Sequence, residues 1–450
     1  MRTTPLPMAP TRARRSRRRQ GGVATLIVVM LIFFVVSLAA AYASRNLIFE
    51  QRTSTNQYHS TQSLEAAEAG LEWALTMLNS GRIGDDCQPT NDLTKSNFRD
   101  RFLNLDKNPA SATFGRSTPD PGGMLNSAWA ACSSDGATWT CTCAGAALTP
   151  ASLPTGVAAF SVRFLNNWNF PVNTPGLVHV EVNGCTSYNV GCVTAVAGDA
   201  GYQDCHSTLC SLAVLYSAVK SPPTAALTAW QSVTGPLAVY NQDTASGGIA
   251  IHAGGAVGGP GLVFGGPPGT PATASMLVRD NDPALSGLDA DAGGCNYCTF
   301  SSTFGLRPDT YHRQPAMATV DCSATCAAAD VNNVLAAGRS GMVWLKGAGG
   351  LTLSNAADII GAAGSPVVLV IDGPLTITAA ATSAATIYGL VYAPSASLAS
   401  GQIRGALVSA STVVGSGAGG QVSYDATALS QLSVLAGSYV KVPGSWRDFP

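Results

Sequence analysis

Hydrophobic and polar positions change period along this chain, and each period predicts a different element. Residues 23–43 are apolar and uncharged, between a leader carrying Arg2, Arg12, Arg14, Arg15, Arg17, Arg18 and Arg19 and the next charge at Arg45. At 1.5 Å per residue this run reaches roughly 30 Å as a helix, the thickness of a hydrocarbon core. The arginines are expected to stay cytoplasmic, so everything beyond about Ser44 is expected across the membrane. Residues 45–79 contain no proline and one glycine, Gly70, so the helix has no strong stop before Ser80-Gly81. Leu64, Ala67, Leu71, Leu75 and Leu78 recur at three- and four-residue spacing, with Glu65, Glu68 and Glu72 on an adjacent face. The pattern predicts one helix of roughly 55 residues with a membrane half first and an apolar packing interface on its soluble half.

Residues 81–155 are rich in proline, asparagine and serine and read as loops. Alternation then appears around Ala159-Phe160-Ser161-Val162-Arg163-Phe164, Val178-His179-Val180-Glu181-Val182 and Leu212-Ala213-Val214-Leu215-Tyr216, predicting antiparallel strands. Ser221-Pro222-Pro223 interrupts the pattern and is the predicted boundary. Beyond it Ile387-Tyr388-Gly389-Leu390-Val391 is matched sixteen residues later by Ile403-Arg404-Gly405-Ala406-Leu407. Ser395, Leu398, Ser400 and Gly401 are matched in the same way by Ser411, Val414, Ser416 and Gly417. Leu351-Thr352-Leu353 and Leu375-Thr376-Ile377 are related at a spacing of twenty-four. Short strands repeated between glycine and serine turns predict stacked coils of a β-solenoid, with a twisted sheet or sandwich as the alternative. Trp446 and Phe449 are expected to cap one end of it.

The leader ends in Gly21-Gly22 immediately before the apolar run. A secretory signal has the same order of parts, with Ala41-Tyr42-Ala43 before Ser44 as its cleavage site, and a retained anchor would keep its leader. The third reading is a prepilin, cut after Gly22 to leave Val23 as the mature end. Gln20-Gly21-Gly22-Val23-Ala24-Thr25-Leu26-Ile27-Val28-Val29, with Gln62-Ser63-Leu64-Glu65-Ala66-Ala67-Glu68-Ala69-Gly70-Leu71-Glu72 about forty residues on, resembles the N-terminal domain of PilX-type minor pilins. That resemblance covers residues 20 to about 80. It departs from major pilins at the fifth mature position, where they carry a glutamate and this chain has Ile27, or Leu26 if the cut follows Gly21. The resemblance therefore implies a tip or priming subunit rather than a shaft subunit.

Composition fits an exported structural protein. Charged residues are 11%, against about 25% in ordinary domains, while 46% are apolar, enough for a large core. A net charge of −1 gives no general attraction to nucleic acid, and the basic leader is explained by topology. All twelve cysteines lie beyond the membrane run and group by fours. The groups are Cys87, Cys132, Cys141 and Cys143; Cys185, Cys192, Cys205 and Cys210; and Cys295, Cys298, Cys322 and Cys326. Disulfides are expected, with Cys185 to Cys192 and Cys205 to Cys210 as plausible local closures. The last group also has the outline of a zinc site, a chemistry disfavoured where thiols are oxidised.

Catalytic chemistry is sparse. Solenoid hydrolases need convergent carboxylates, but residues 341–420 hold only Asp358 and Asp372 as acids and Lys346 and Arg404 as bases. His59, His179, His206, His252 and His312 are scattered, and no nucleophile elbow, P-loop or H-E-x-x-H occurs. Asp280-Asn281-Asp282 with Asp289-Ala290-Asp291 could hold calcium, but Pro283 interrupts the loop and no EF-hand glutamate follows, so a solvated acidic loop is expected.

The expectation is an α+β chain: a basic leader (1–22), a transmembrane and amphipathic helix (23–80), a pilin-like head (81–220) and a glycine-rich β-solenoid-like domain (221–450). No catalytic residue, metal or cofactor is expected. The resemblance implies as partners a prepilin peptidase, other minor pilins, the pilus assembly machinery, the inner membrane and a tip adhesin, but no nucleic acid. Its implied location is the inner membrane with a periplasmic head, then the pilus tip. The alternatives are a membrane-anchored envelope protein binding surfaces or glycans, and an exported carbohydrate-active enzyme.

Overall fold

The computed structural model describes residues 21–116, 125–143, 158–165, 174–186, 206–286, 297–338, 341–378, 385–417 and 420–446. Two compact units divide the chain, residues 1–59 and 60–450. The described residues are α+β, a long N-terminal apolar helix followed by β-rich structure. Helix α1 (Gly21–Leu78) runs unbroken, as expected of a stretch without proline. In the first unit every described side chain from 23 to 58 is exposed.

In the second unit the end of α1 packs on an antiparallel sheet. Its strands are β1 (Leu125–Ser134), β2 (Trp139–Thr142), β3 (Ala158–Leu165), β4 (Leu177–Cys185) and β5 (His206–Ser217), plus a final strand Gly437–Lys441, in the order β2-β1-β3-β4-β5-final. Alternation directs Phe160, Val162 and Phe164 of β3 and Val180 and Val182 of β4 to the core that buries Ala67, Leu71, Ala74 and Leu78. A short helix, α2 (Phe98–Phe102), closes this core with Phe98 and Phe102. Two glycines permit the approach of helix to sheet. A Cβ on Gly184 would lie 2.1 Å from the Ser63 carbonyl oxygen, and one on Gly70 would lie 2.6 Å from Val182 Cγ1.

The final strand corrects the expected division at Ser221-Pro222-Pro223. Gly437–Lys441 pairs with β5 through Gly437↔Ser217, Ser438↔Tyr216 and Tyr439↔Leu215, so the head takes its sixth strand from the chain's end. What lies between β5 and that strand is an insertion in the head. Trp446, expected to cap the inserted region, follows a residue bonded to the head sheet. It is 41% exposed, and that residue is Ser445, whose Oγ accepts from the Leu212 N–H at 3.0 Å. Phe449 lies outside the described residues.

The insertion contains two sheets in which all the described pairings are parallel. The sequence repeats are its registers. Strand Thr386–Ala393 pairs with Gln402–Ser409 as Ile387↔Ile403, Gly389↔Gly405 and Val391↔Leu407, and Leu351–Leu353 pairs with Leu375–Ile377 residue for residue. The spacing of sixteen does not persist into the next strand. There Ala396 pairs with Val413 and Leu398 with Gly415, one residue further on, because the second turn is one residue longer. Leu351, Leu353, Leu375, Ile377, Leu398 and Val413 stack in the apolar interior.

Rung order differs from chain order. The first rung lies against the last, through Leu227↔Leu407, Val233↔Val413 and Val239↔Val422. An insertion between neighbouring strands must start and finish close together, and a sequential stack would separate its ends by its whole height. Splicing the first rung onto the last satisfies that constraint.

Candidate functional site

The exposed half of α1 is the first functional element. Val23 (70% exposed), Ile27 (57%) and Phe33 (73%) exemplify side chains that water would not stabilise in this position. The helix is long and apolar enough to cross a membrane, with a mean hydropathy of 2.9 in its most apolar window. Gly21 and Gly22 open this helix, whereas the arginine leader before them lies outside the described residues.

The second element is the junction where α1 ends. Helix termini leave carbonyls without intrahelical partners, and here Arg99 from α2 supplies donors. Its Nε donates to the Leu78 carbonyl, and Nη2 donates to Asn79 Oδ1 at 3.1 Å and to the Gly437 carbonyl at 2.7 Å. The guanidinium also lies 4.8 Å from the centre of the Tyr439 ring. Arg99 is buried, and none of the salt bridges among the described residues includes it. The negative end of the helix and three acceptors take the place of a carboxylate. Burial lowers the Arg99 pKa, and burial pushes the Tyr439 phenol up to about 12 despite the adjacent guanidinium.

Asn79 completes the junction. Its Oδ1 accepts from the Tyr439 N–H at 2.8 Å, and its Nδ2 donates to the Tyr439 carbonyl at 2.9 Å. The side-chain amide thus pairs with the final strand as a neighbouring strand would. Helix, α2 and the C-terminal strand meet at four residues that no local pattern connects: Asn79, Arg99, Gly437 and Tyr439.

The five stripe positions pack within this chain. Ala67, Leu71 and Leu78 are buried in this chain's own head core, and Leu64 and Leu75 pack partly against it. The apolar stripe is already covered, because β3 and β4 offer it a complementary apolar face. Glu65, Glu68 and Glu72 are the exposed face of this helical segment.

Cysteines of the first group pair among themselves, Cys87 with Cys143 and Cys132 with Cys141. Cys132 and Cys141 are direct cross-strand partners in β1 and β2. In the third group Cys322 is joined to Cys326, which removes two thiolates from the outlined zinc site. Cys185 and Cys298 are each disulfide-bonded, to partners outside those pairs. Cys210 is buried. Cys192, Cys205 and Cys295 lie outside the described residues, and with them the suggested closures of Cys185 to Cys192 and Cys205 to Cys210.

The residues weighed for chemistry are tied into local structure. Asp358 accepts from the Ser354 and Asn355 N–H groups, each at 2.9 Å, and so shapes a turn. Asp282 bonds His252 at 2.7 Å and accepts from the Ala284 N–H, and the His252 bond holds its carboxyl below the usual range. Asp289 and Asp291 of that loop lie outside the described residues. Among the described residues no group of three or more His, Cys, Asp or Glu could hold a metal.

Comparison with known proteins places the N-terminal region. The family model PilX N-terminal matches residues 21–72, the segment on which the sequence resemblance rests. No curated protein sequence matches significantly. Among solved structures, the crystal structure of competence-associated pilin ComZ from Thermus thermophilus is similar at 10% identity, over 87% of this chain and 97% of that one, with a TM-score of 0.20.

Proposed function

We propose that this chain is a PilX-like minor pilin that joins the complex priming type IV pilus assembly and remains at the fibre tip. One observation carries the reading: α1 is continuous, its apolar half falls within the PilX N-terminal match, and its soluble half is the central element of the head core. Prepilin peptidase removes the leader after Gly22, and the helix is held in the inner membrane with its head in the periplasm. Ile27 supports the tip placement, since a subunit with no neighbour above it has no need of a glutamate at the fifth mature position. Other minor pilins and the assembly machinery meet the acidic outer face of α1 rather than its covered stripe. The insertion is a β-solenoid whose rungs are spliced, and it acts in attachment, beside a tip adhesin, without catalysis. Immunogold labelling of sheared fibres tests the placement: the reading expects sparse label at fibre ends, and even label along the shaft would contradict it.

A further inference from the structure

We propose that the inserted region binds a neutral oligosaccharide chain in an aromatic cleft on its outer surface. The cleft has a volume of about 650 Å³. It runs across successive strands: the lining residues Trp344, Val370 and Tyr392 are consecutive register partners on adjacent parallel strands, and the backbone N–H of the lining residue Trp230 donates to the Ser409 carbonyl on the strand after them. Four strand intervals from Met342–Lys346 to Leu227–Ala229 span roughly 19 Å, so an extended ligand would cross several rungs.

The lining chemistry selects the ligand. Tyr297, 52% exposed, and half-buried Tyr392 provide aromatic surface above the buried Trp230 and Trp344, and Gln231 and Asp372 provide polar groups. Aromatic faces receive the C–H faces of sugar rings, while an amide and a carboxylate bind their hydroxyls. Asp372 already accepts from the Gly347 N–H at 3.3 Å and keeps further acceptor capacity. Among the described lining residues there is no lysine, arginine or histidine, which argues against phosphate or sulfate polymers. Among the described lining residues Asp372 is the one carboxylate, so these residues supply no acid and base pair for glycoside cleavage.

The aromatic platform is held in place. Phe300 packs edge-on against Tyr392 with centroids 5.0 Å apart and lies 5.8 Å from Trp344. Tyr297 is held at φ 90°, a left-handed conformation unusual for a tyrosine, and remains 52% exposed. A strained, exposed aromatic beside rigid buried ones is the arrangement expected of a preorganised sugar platform.

The test uses the full chain in a non-glycosidic detergent, titrated with linear hexasaccharides of glucose, galactose and N-acetylglucosamine while tryptophan fluorescence is followed. At least one should change the emission saturably, with Tyr297→Ala and Asp372→Asn each weakening binding tenfold or more at unchanged circular dichroism. Absence of binding by all three at millimolar concentration would overturn the proposal. Binding that both variants retain would overturn it, as would saturable binding of heparin hexasaccharide or a proline-rich decapeptide in place of the neutral sugars. None of these outcomes depends on whether the chain enters a pilus.

Discussion

Asn79 and Tyr439, 360 positions apart in sequence, form a two-point hydrogen-bonded pair in which a side-chain amide satisfies the backbone N–H and carbonyl of one strand residue. The pair joins the end of the long N-terminal helix to the strand that closes the head. It also ties the end of the insertion to the helix, since the final strand begins where the insertion ends.

Replacing Asn79 by alanine strands two backbone groups of Tyr439 and one donor of Arg99 in a buried site. A loss of about 2–4 kcal/mol is expected from unsatisfied buried polar groups. Chemical denaturation of the full chain should show this as a lower midpoint, and a midpoint within error of the parent would refute the role of the pair.

Gly184→Ala should destabilise more than Gly70→Ala, although both lie at the helix–sheet contact. The new Cβ at 184 meets backbone, the Ser63 oxygen at 2.1 Å and the Ala67 nitrogen at 2.5 Å, which cannot rotate away. At 70 it meets side chains of Val182 and Phe160 and gains helix propensity of about 1 kcal/mol. The expected cost at 184 is roughly 1–3 kcal/mol or more, read as a drop in melting temperature; equal effects would contradict the geometry.

Alkaline pH should loosen the head through Tyr439. Its folded pKa of about 12 lies above the ordinary value of 10 because its ring is buried. The neutral phenol therefore contributes stability that is complete below pH 10 and is lost as pH rises toward 12, by roughly 3 kcal/mol in all. The Tyr439 hydroxyl has no hydrogen-bond partner among the described residues, so Tyr439→Phe should be at least as stable at pH 7 and lose less above pH 10. A parent and variant with the same alkaline slope would assign the transition to other groups.

The sequence made the periodic features readable. Three- and four-residue spacing located the face of α1 that the head buries, and the spacings of sixteen and twenty-four proved to be strand registers, because parallel stacking repeats side chains at each rung. It did not reveal which strands of the head cover the stripe, since an apolar face looks the same whichever apolar surface it meets. Leu71→Glu is accordingly expected to unfold the head, not merely to weaken assembly. The junction was not legible either. Asn79 follows a helix, Arg99 sits in a polar loop region and Tyr439 lies beyond the repeats; only the long-range closure of the sheet gives them a common purpose. The C-terminal strand carried a faint signal, the alternation Tyr439-Val440-Lys441, overshadowed by the repeats before it.

If the apolar half of α1 is a processed pilin N-terminus, the mature chain starts at Val23. Intact-mass and N-terminal peptide mass spectrometry of the protein from its native membrane tests it most directly, with and without an active prepilin peptidase. The account predicts a mature chain beginning at Val23 when the peptidase is active and an uncut leader when it is not. A chain beginning at Ser44, or one that keeps its leader in the presence of the active peptidase, would contradict it.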